Sequence, residues 1–218
     1  MAKQESTTRV NIERFNGIVA SWDSDPHRTA LARAVAAAIL AAVPLTGKER
    51  ALEFGCGTGL VTGLLAERVA HVLAVDSSSG MLEVLRGKLK ALGIHNVELL
   101  EADLARGVPE GPFDLVFSSM VLHHIEDVAG LLARVYGALA PRGHVAFADL
   151  VHEDGSFHAA DVQGVMHQGF EPAEFARWLE RADFSDVQVH TIFRAPKLQP
   201  DGRTRYYPIL LATARRTR

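Results

Sequence analysis

The segment Glu53-Phe54-Gly55-Cys56-Gly57-Thr58-Gly59 sets three alternate glycines behind an acidic residue. Glycines so placed let a backbone turn tightly and approach a ligand with no Cβ in the way. A dinucleotide loop, G-x-G-x-x-G, would need glycine at position 60 or 62, where Leu60 and Thr62 stand. The loop is therefore not built for a pyrophosphate. Asp76 follows about 20 residues later, where a carboxylate at a strand end can accept two hydrogen bonds from a ribose diol. With Ser77, Ser78 and Ser79 behind it, the alternative role for Asp76 is a helix N-cap. Asp103 can accept from an exocyclic amine such as that of adenine, or stand as a solvated turn acid. The three sites together describe a nucleoside pocket.

These side chains need a scaffold that brings strand ends together. Arg50–Phe54 reads as a strand that ends at the glycines. Residues 60–69 read as a helix, 71–75 as a strand ending on Asp76, 79–92 as a helix stopped by Gly93, and 97–101 as a strand ending near Asp103. Strand 113–117 ends at Ser118-Ser119. Helix 127–140 stops at Pro141-Arg142-Gly143, and strand 144–148 ends at Asp149. Short apolar strands alternating with helices predict βαβ crossovers and a mostly parallel sheet covered on both faces. Upstream, residues 11–20 carry a helical apolar period. A second helix starts with Asp25 as N-cap and Pro26 in the first turn and runs to about Val43. Residues 151–170 show no period. A helix follows from Glu171-Pro172 to about Ala182, then strands 186–193 and 206–214, joined by a long polar connection and pairing antiparallel at the sheet edge.

Composition narrows the function. Of 218 residues, 48% are apolar and 22% charged, which excludes intrinsic disorder. One cysteine, Cys56, excludes an intramolecular disulfide and a cysteine-rich metal cage, and fits a reducing, cytoplasmic setting. A net charge of −3 gives no bulk attraction to nucleic acid or anionic lipid. The first residues are polar with no targeting pattern, and the apolar run 34–45 contains Pro44 and is too short to cross a membrane. The arginines at 215, 216 and 218 read as a solvated tail, the alternative being a phosphate or nucleic-acid contact.

The ordered set Glu53–Gly59, Val75-Asp76, Ala102-Asp103-Leu104, Phe113–Ser119, Val121-Leu122-His123-His124-Ile125 and Pro141-Arg142-Gly143 resembles the class I S-adenosylmethionine-dependent methyltransferases, in their type 11, small-molecule branch. The resemblance covers residues 52–149. It implies a Rossmann-like α/β fold with a seven-stranded, mostly parallel sheet, an antiparallel last strand and an N-terminal helical extension. It also implies S-adenosylmethionine as methyl donor. By the same resemblance Gly55, Gly57 and Gly59 serve the methionine part, Asp76 the ribose, Asp103 and Leu104 the adenine, and Ser119 the sulfonium side, with Glu53 and Ser77 also among the donor-binding residues. Met81 either packs on the adenine or belongs to the helix core. Trp22 and Arg28, in the extension, are candidates for a cation–π contact to the sulfonium and an ion pair with the donor carboxylate. The chain divides into an extension or lid over 1–46, a donor-binding core over 47–150, and an acceptor-side insert with the sheet edge over 151–218, all one domain.

Methyl transfer from a sulfonium is an in-line displacement, which needs alignment and requires a base only if the nucleophile carries a proton. Six of the ten histidines lie between 123 and 167. His124 is the first candidate for a base or acceptor-orienting group, with His123 behind it and packed away from the acceptor. The alternative is that one packs and the other caps the following helix. His152, His158 and His167, with Asp149 and Asp154, are suitable metal ligands by type, but no His-Glu-x-x-His spacing supports them. A polar lid is the better reading, and no metal is expected. The strand-4 end reads Ser118-Ser119-Met120-Val121 and lacks an Asn/Asp-Pro-Pro-aromatic element, so no nucleic-acid partner is expected. Nothing in the sequence chooses among O, N, S and C acceptors or gives an oligomeric state. A catalytically silent binding protein and a nicotinamide-dependent oxidoreductase are the alternatives. The intact Glu53, Gly55–Gly59 and Asp76 set argues against the first, and the missing third glycine against the second.

Overall fold

The computed structural model describes residues 22–103, 107–159 and 162–217. The helical period at 11–20, Leu104 and Arg218 lie outside them. Seven strands form one sheet: β1 Arg50–Phe54, β2 His71–Asp76, β3 Val97–Glu101, β4 Phe113–Ser119, β5 Leu139–Leu150, β6 Phe184–Leu198 and β7 Thr204–Arg216. The spatial order is β3-β2-β1-β4-β5-β7-β6. β1 to β5 pair in parallel, and β7 runs antiparallel to both neighbours. Strand order reverses between β1 and β4. In such sheets the crevice at the reversal, outside the carboxyl ends of the strands, is where ligands sit.

Alternation along each strand builds two cores. Ala51, Val72, Ala74, Leu115 and Phe117 face one side, packed with α1 (Pro26–Ala42), α2 (Thr62–Ala66) and α3 (Ser79–Leu92). Leu52, Leu73, Val75, Val116 and Phe147 face the other, packed with α4 (Val128–Ala138) and α5 (Pro172–Arg181). Period-2 side chains on strands buried on both faces leave no polar face, as the apolar runs predict.

Local signals set the helix ends. The Asp25 carboxylate accepts from the His27 amide at 2.8 Å, ahead of Pro26. Ser78 caps α3, and Gly93 ends it with φ 67°. Two expectations need correction. Helix α4 stops at Ala138, and Leu139 already pairs with Phe113. Pro141-Arg142-Gly143 is thus an irregularity inside β5, with Arg142 at φ 68°, rather than a separate turn. The connection between β6 and β7 is also short. Arg194–Leu198 pair with Thr204–Pro208, extending the hairpin through polar residues. An edge hairpin needs backbone hydrogen bonds more than buried side chains, so its polar composition reads as loop. Among the described residues, no helix is long and apolar enough to cross a membrane.

Candidate active site

Buried β1 delivers the chain into the glycine loop. Gly55 and Gly57 both take left-handed backbone, φ 64° and 55°. A Cβ on Gly55 would meet Val121 Cγ2 at 2.3 Å, whereas one on Gly57 would meet nothing within 4 Å. Gly55 thus lets the loop pass under Val121, and Gly57 keeps its own side of the loop open toward a cavity of about 460 Å³ that it lines. That size is typical for a small-molecule site.

Two acids anchor the loop. Asp76, at the end of β2, accepts from the Gly57 amide at 2.8 Å and from the Ser78 amide at 2.9 Å. It is not the cap of α3; Ser78 is, accepting from the Met81 amide at 3.2 Å. Burial pushes the Asp76 carboxyl above its usual range, partly offset by the amides of Ser78, Gly57 and Ser77. Glu53, 2% exposed, accepts from the Thr62 hydroxyl at 2.5 Å. Its pKa is pushed up to about 8 by burial, opposed by the Thr62 bond and reinforced by the Asp76 charge. Burial and the same two acids raise the Cys56 thiol, so Cys56 stays protonated and unreactive.

The cavity wall includes Glu53, Gly55, Gly57, Asp76, Ser77, Met81, Asp103, Ser119, Trp22, Arg28, His123 and His124. Gly59 is not on it: its φ is 79° and a Cβ there would strike Leu85 Cδ1 at 2.2 Å, so this glycine lets the loop pack on α3. Met81 is both core and wall, 2% exposed. Trp22 and Arg28 are arranged differently from expectation. The Arg28 guanidinium lies 3.6 Å from the Trp22 ring centroid and 3.4 Å from Asp25, so the cation over this tryptophan is the protein's own. Asp23, unremarkable in the sequence, joins this segment to the loop. It accepts from Thr58 Oγ1 at 2.6 Å and from Lys88 Nζ at 2.8 Å.

The other half of the wall follows β4 and β5. Met120 takes φ 60°, a strained conformation for a side-chain-bearing residue, and is held by its amide donating to Ala148 O at 2.8 Å. The turn leads into a 3₁₀ segment, Leu122–His124, that brings both imidazoles to the cavity. His123, expected to pack away, is almost fully buried yet lines it. Its Nδ1 donates to Asp149 Oδ1 at 2.6 Å. Burial raises the wholly buried Asp149, but the charge and hydrogen bond of His123 outweigh it and hold this carboxyl below its usual range. His124 Nδ1 donates to Gly164 O at 2.8 Å, and His167 Nε2 to Ile125 O at 2.9 Å. The carboxylate-backed imidazole is therefore His123, not His124. Beyond it the rings continue: His123 to His158 at 5.0 Å, His158 to Phe157 at 4.9 Å, and Lys197 Nζ 4.7 Å from the Phe157 centroid. Lys197, a cavity residue, was invisible in sequence because it sits in the stretch that reads as connection.

A Rossmann-like sheet with a cavity at its switch point, a buried and a half-buried acid on the first two strand ends and left-handed glycines between them defines a nucleoside-binding class. Residues 52–147 match a family described as a methyltransferase domain. The chain is 41% identical over 113 residues to the trans-aconitate 2-methyltransferase of Methylobacterium radiotolerans, covering 51% of this chain and 42% of that protein. With the enzyme of that name from Rhizobium leguminosarum bv. trifolii, identity is 30% over 176 residues, 72% of this chain and 66% of that one. The matches thus span 42 to 66% of the length of these two curated relatives. The fold superposes on DhpI, in its complex with SAH, with a TM-score of 0.73 at 24% identity, covering 98% of this chain and 96% of that one. Residues 52–147 thus form a methyltransferase domain of the class I, S-adenosylmethionine-dependent, type 11 kind.

Proposed function

We propose that the protein transfers a methyl group from S-adenosylmethionine to a small organic acid. Bound S-adenosylmethionine supplies a sulfonium-activated methyl group, whose bonding pair to sulfur stays with sulfur when the acceptor's lone pair takes the methyl. The residues present suit such a donor. The open side of Gly57 leaves room for a close approach, and the ends of β1, β2 and β3 bring Glu53, Asp76 and Asp103 to the same cavity. In this reading Asp76 receives the ribose hydroxyls while its other lone pairs keep the Gly57 and Ser78 amides, Ser77 and Met81 flank the nucleoside, and Glu53 balances cationic charge on the amino-acid part.

The observation that carries the acceptor class is the row Lys197, Phe157, His158, His123 and His124 on the β4–β5 side. An ammonium and three imidazoles beside an aromatic ring suit a carboxylate on a small carbon frame. The name trans-aconitate 2-methyltransferase on two relatives supports the same class. A carboxylate is already ionised at neutral pH. The histidines then orient it rather than deprotonate it, and Ser119, at the end of β4, sits between the two halves.

Methyl-labelled S-adenosylmethionine incubated with trans-aconitate, other small di- and tricarboxylates, thiols, phenols, amines and quinols tests this. Labelling of a small acid is expected, with Lys197→Ala raising its KM about tenfold or more through loss of a charged contact. Labelling confined to uncharged acceptors would refute the acid reading.

A further inference from the structure

His123, His124 and His158 meet at one point of the cavity wall. One ring nitrogen of each lies within 4.8 Å of those of the other two. The ring centroids are 4.1 Å apart for His123 and His124, 5.0 Å for His123 and His158, and 5.8 Å for His124 and His158. A second, independent feature is what holds the rings from behind. His123 Nδ1 donates to Asp149, a fully buried carboxylate that also accepts from the Leu150 amide at 2.7 Å and the His123 amide at 3.3 Å. His124 Nδ1 donates to the Gly164 carbonyl. A carboxylate or carbonyl fixing one ring nitrogen is how metal-ligating histidines are oriented, and it puts the ligating lone pair on Nε2.

We propose that His123, His124 and His158 bind a divalent transition-metal cation of the zinc type, with Asp149 and the Gly164 carbonyl as outer partners and the remaining position turned to the cavity. The donor set decides the metal class. Three imidazoles, with no carboxylate or thiolate among them, suit zinc, cobalt, nickel or copper rather than magnesium or calcium. Three protein ligands with one open position is the arrangement of reactive rather than structural zinc. Nitrogens at about 2.0–2.1 Å from a tetrahedral zinc lie roughly 3.3 Å apart, so from separations within 4.8 Å ligation draws the three rings together by at most about 1.5 Å. His124 and His158 are half-buried and can turn to do so. The open position then takes water or an oxygen of the acceptor. The histidines at 152 and 167, which sequence reasoning grouped with His158, are not in this cluster. Its members come from the 3₁₀ segment after β4 and the loop after β5, a combination no local spacing announces. The site stands on these residues alone and does not rest on donor binding or on the identity of the acceptor.

The test is calorimetric titration of the full chain, stripped with a chelator and dialysed, with zinc chloride, and absorption spectroscopy with cobalt chloride as probe. About one zinc per chain is expected, with micromolar or tighter affinity, and a visible cobalt band of four-coordinate intensity. His158→Ala, on a half-buried loop, should keep the wild-type melting curve and weaken zinc binding about tenfold or more. Asp149→Asn should weaken it about 10- to 100-fold. His95→Ala, exposed and outside this cavity, should leave binding unchanged. Zinc affinity equal in the wild type and a combined His124→Ala, His158→Ala variant, or a cobalt spectrum of hexaaqua type, would overturn the proposal.

Discussion

Replacing Glu53 by glutamine should remove a pH-dependent loss of stability without disturbing the fold. Glu53 is 2% exposed, beside Asp76 and hydrogen-bonded by Thr62, with a pKa raised from 4.5 to about 8. Its raised folded pKa means the folded chain holds this proton more tightly than the unfolded chain. The stabilising contribution is complete below about pH 4.5 and is lost as pH rises through about 8. With those two values, linkage removes about 2–3 kcal/mol between pH 6 and pH 9. For a chain of this size that is about 5–10 °C in melting temperature. Glutamine resembles the protonated acid in shape and cannot ionise. Melting curves of both proteins at pH 6 and pH 9 should therefore differ in slope, the wild type falling further by that amount. A cationic ligand group near Glu53 would favour its ionised form. S-adenosylmethionine binding to the wild type near pH 7 should then release a proton, read as a buffer-dependent heat in phosphate against Tris, and the glutamine variant should release none. Parallel pH profiles in the two proteins would refute the argument from burial.

The glycines should separate by role. Gly59→Ala, which drives a Cβ into Leu85 from a backbone at φ 79°, should cost more stability than Gly57→Ala, which has space but pays roughly 1–2 kcal/mol in backbone strain; denaturant midpoints with unchanged slopes would check this order. Asp76→Ala should lose about 1–3 kcal/mol of stability, because two backbone amides lose their acceptor, and should weaken S-adenosylhomocysteine binding by about tenfold or more; wild-type affinity by calorimetry would limit this residue to loop anchoring. Asp149→Ala should destabilise by about 3–5 kcal/mol, since it strands a buried imidazole, and urea melts would show it. Asp23→Ala, which releases Thr58 and Lys88 together, should speed S-adenosylhomocysteine dissociation about three- to tenfold in stopped-flow traces.

What was readable in the sequence was what local chemistry decides. Asp25-Pro26, Ser78 and Gly93 mark helix ends through contacts within a few residues. Apolar runs such as 71–75 mark covered strands. The loop and the acids at 53, 76 and 103 were legible because a parallel sheet gathers its strand ends at one crevice. What escaped depends on partners far apart in the chain. Asp149 meets His123 across 26 residues, Asp23 meets Thr58 across 35, and His158 meets His124 only because β4 and β5 are neighbours. Gly59 looks like its sister glycines until Leu85 appears beside it. The β6–β7 hairpin hid behind polar residues that an edge strand tolerates, and Lys197 went with it.

If the crevice between β1 and β4 is a donor site of the S-adenosylmethionine type, calorimetric titration of the wild-type chain with S-adenosylhomocysteine, run beside NAD, will show it. About one S-adenosylhomocysteine should bind per chain at micromolar affinity, equivalent to about −8 kcal/mol, with no heat from NAD. Binding of NAD with no response to S-adenosylhomocysteine would contradict it.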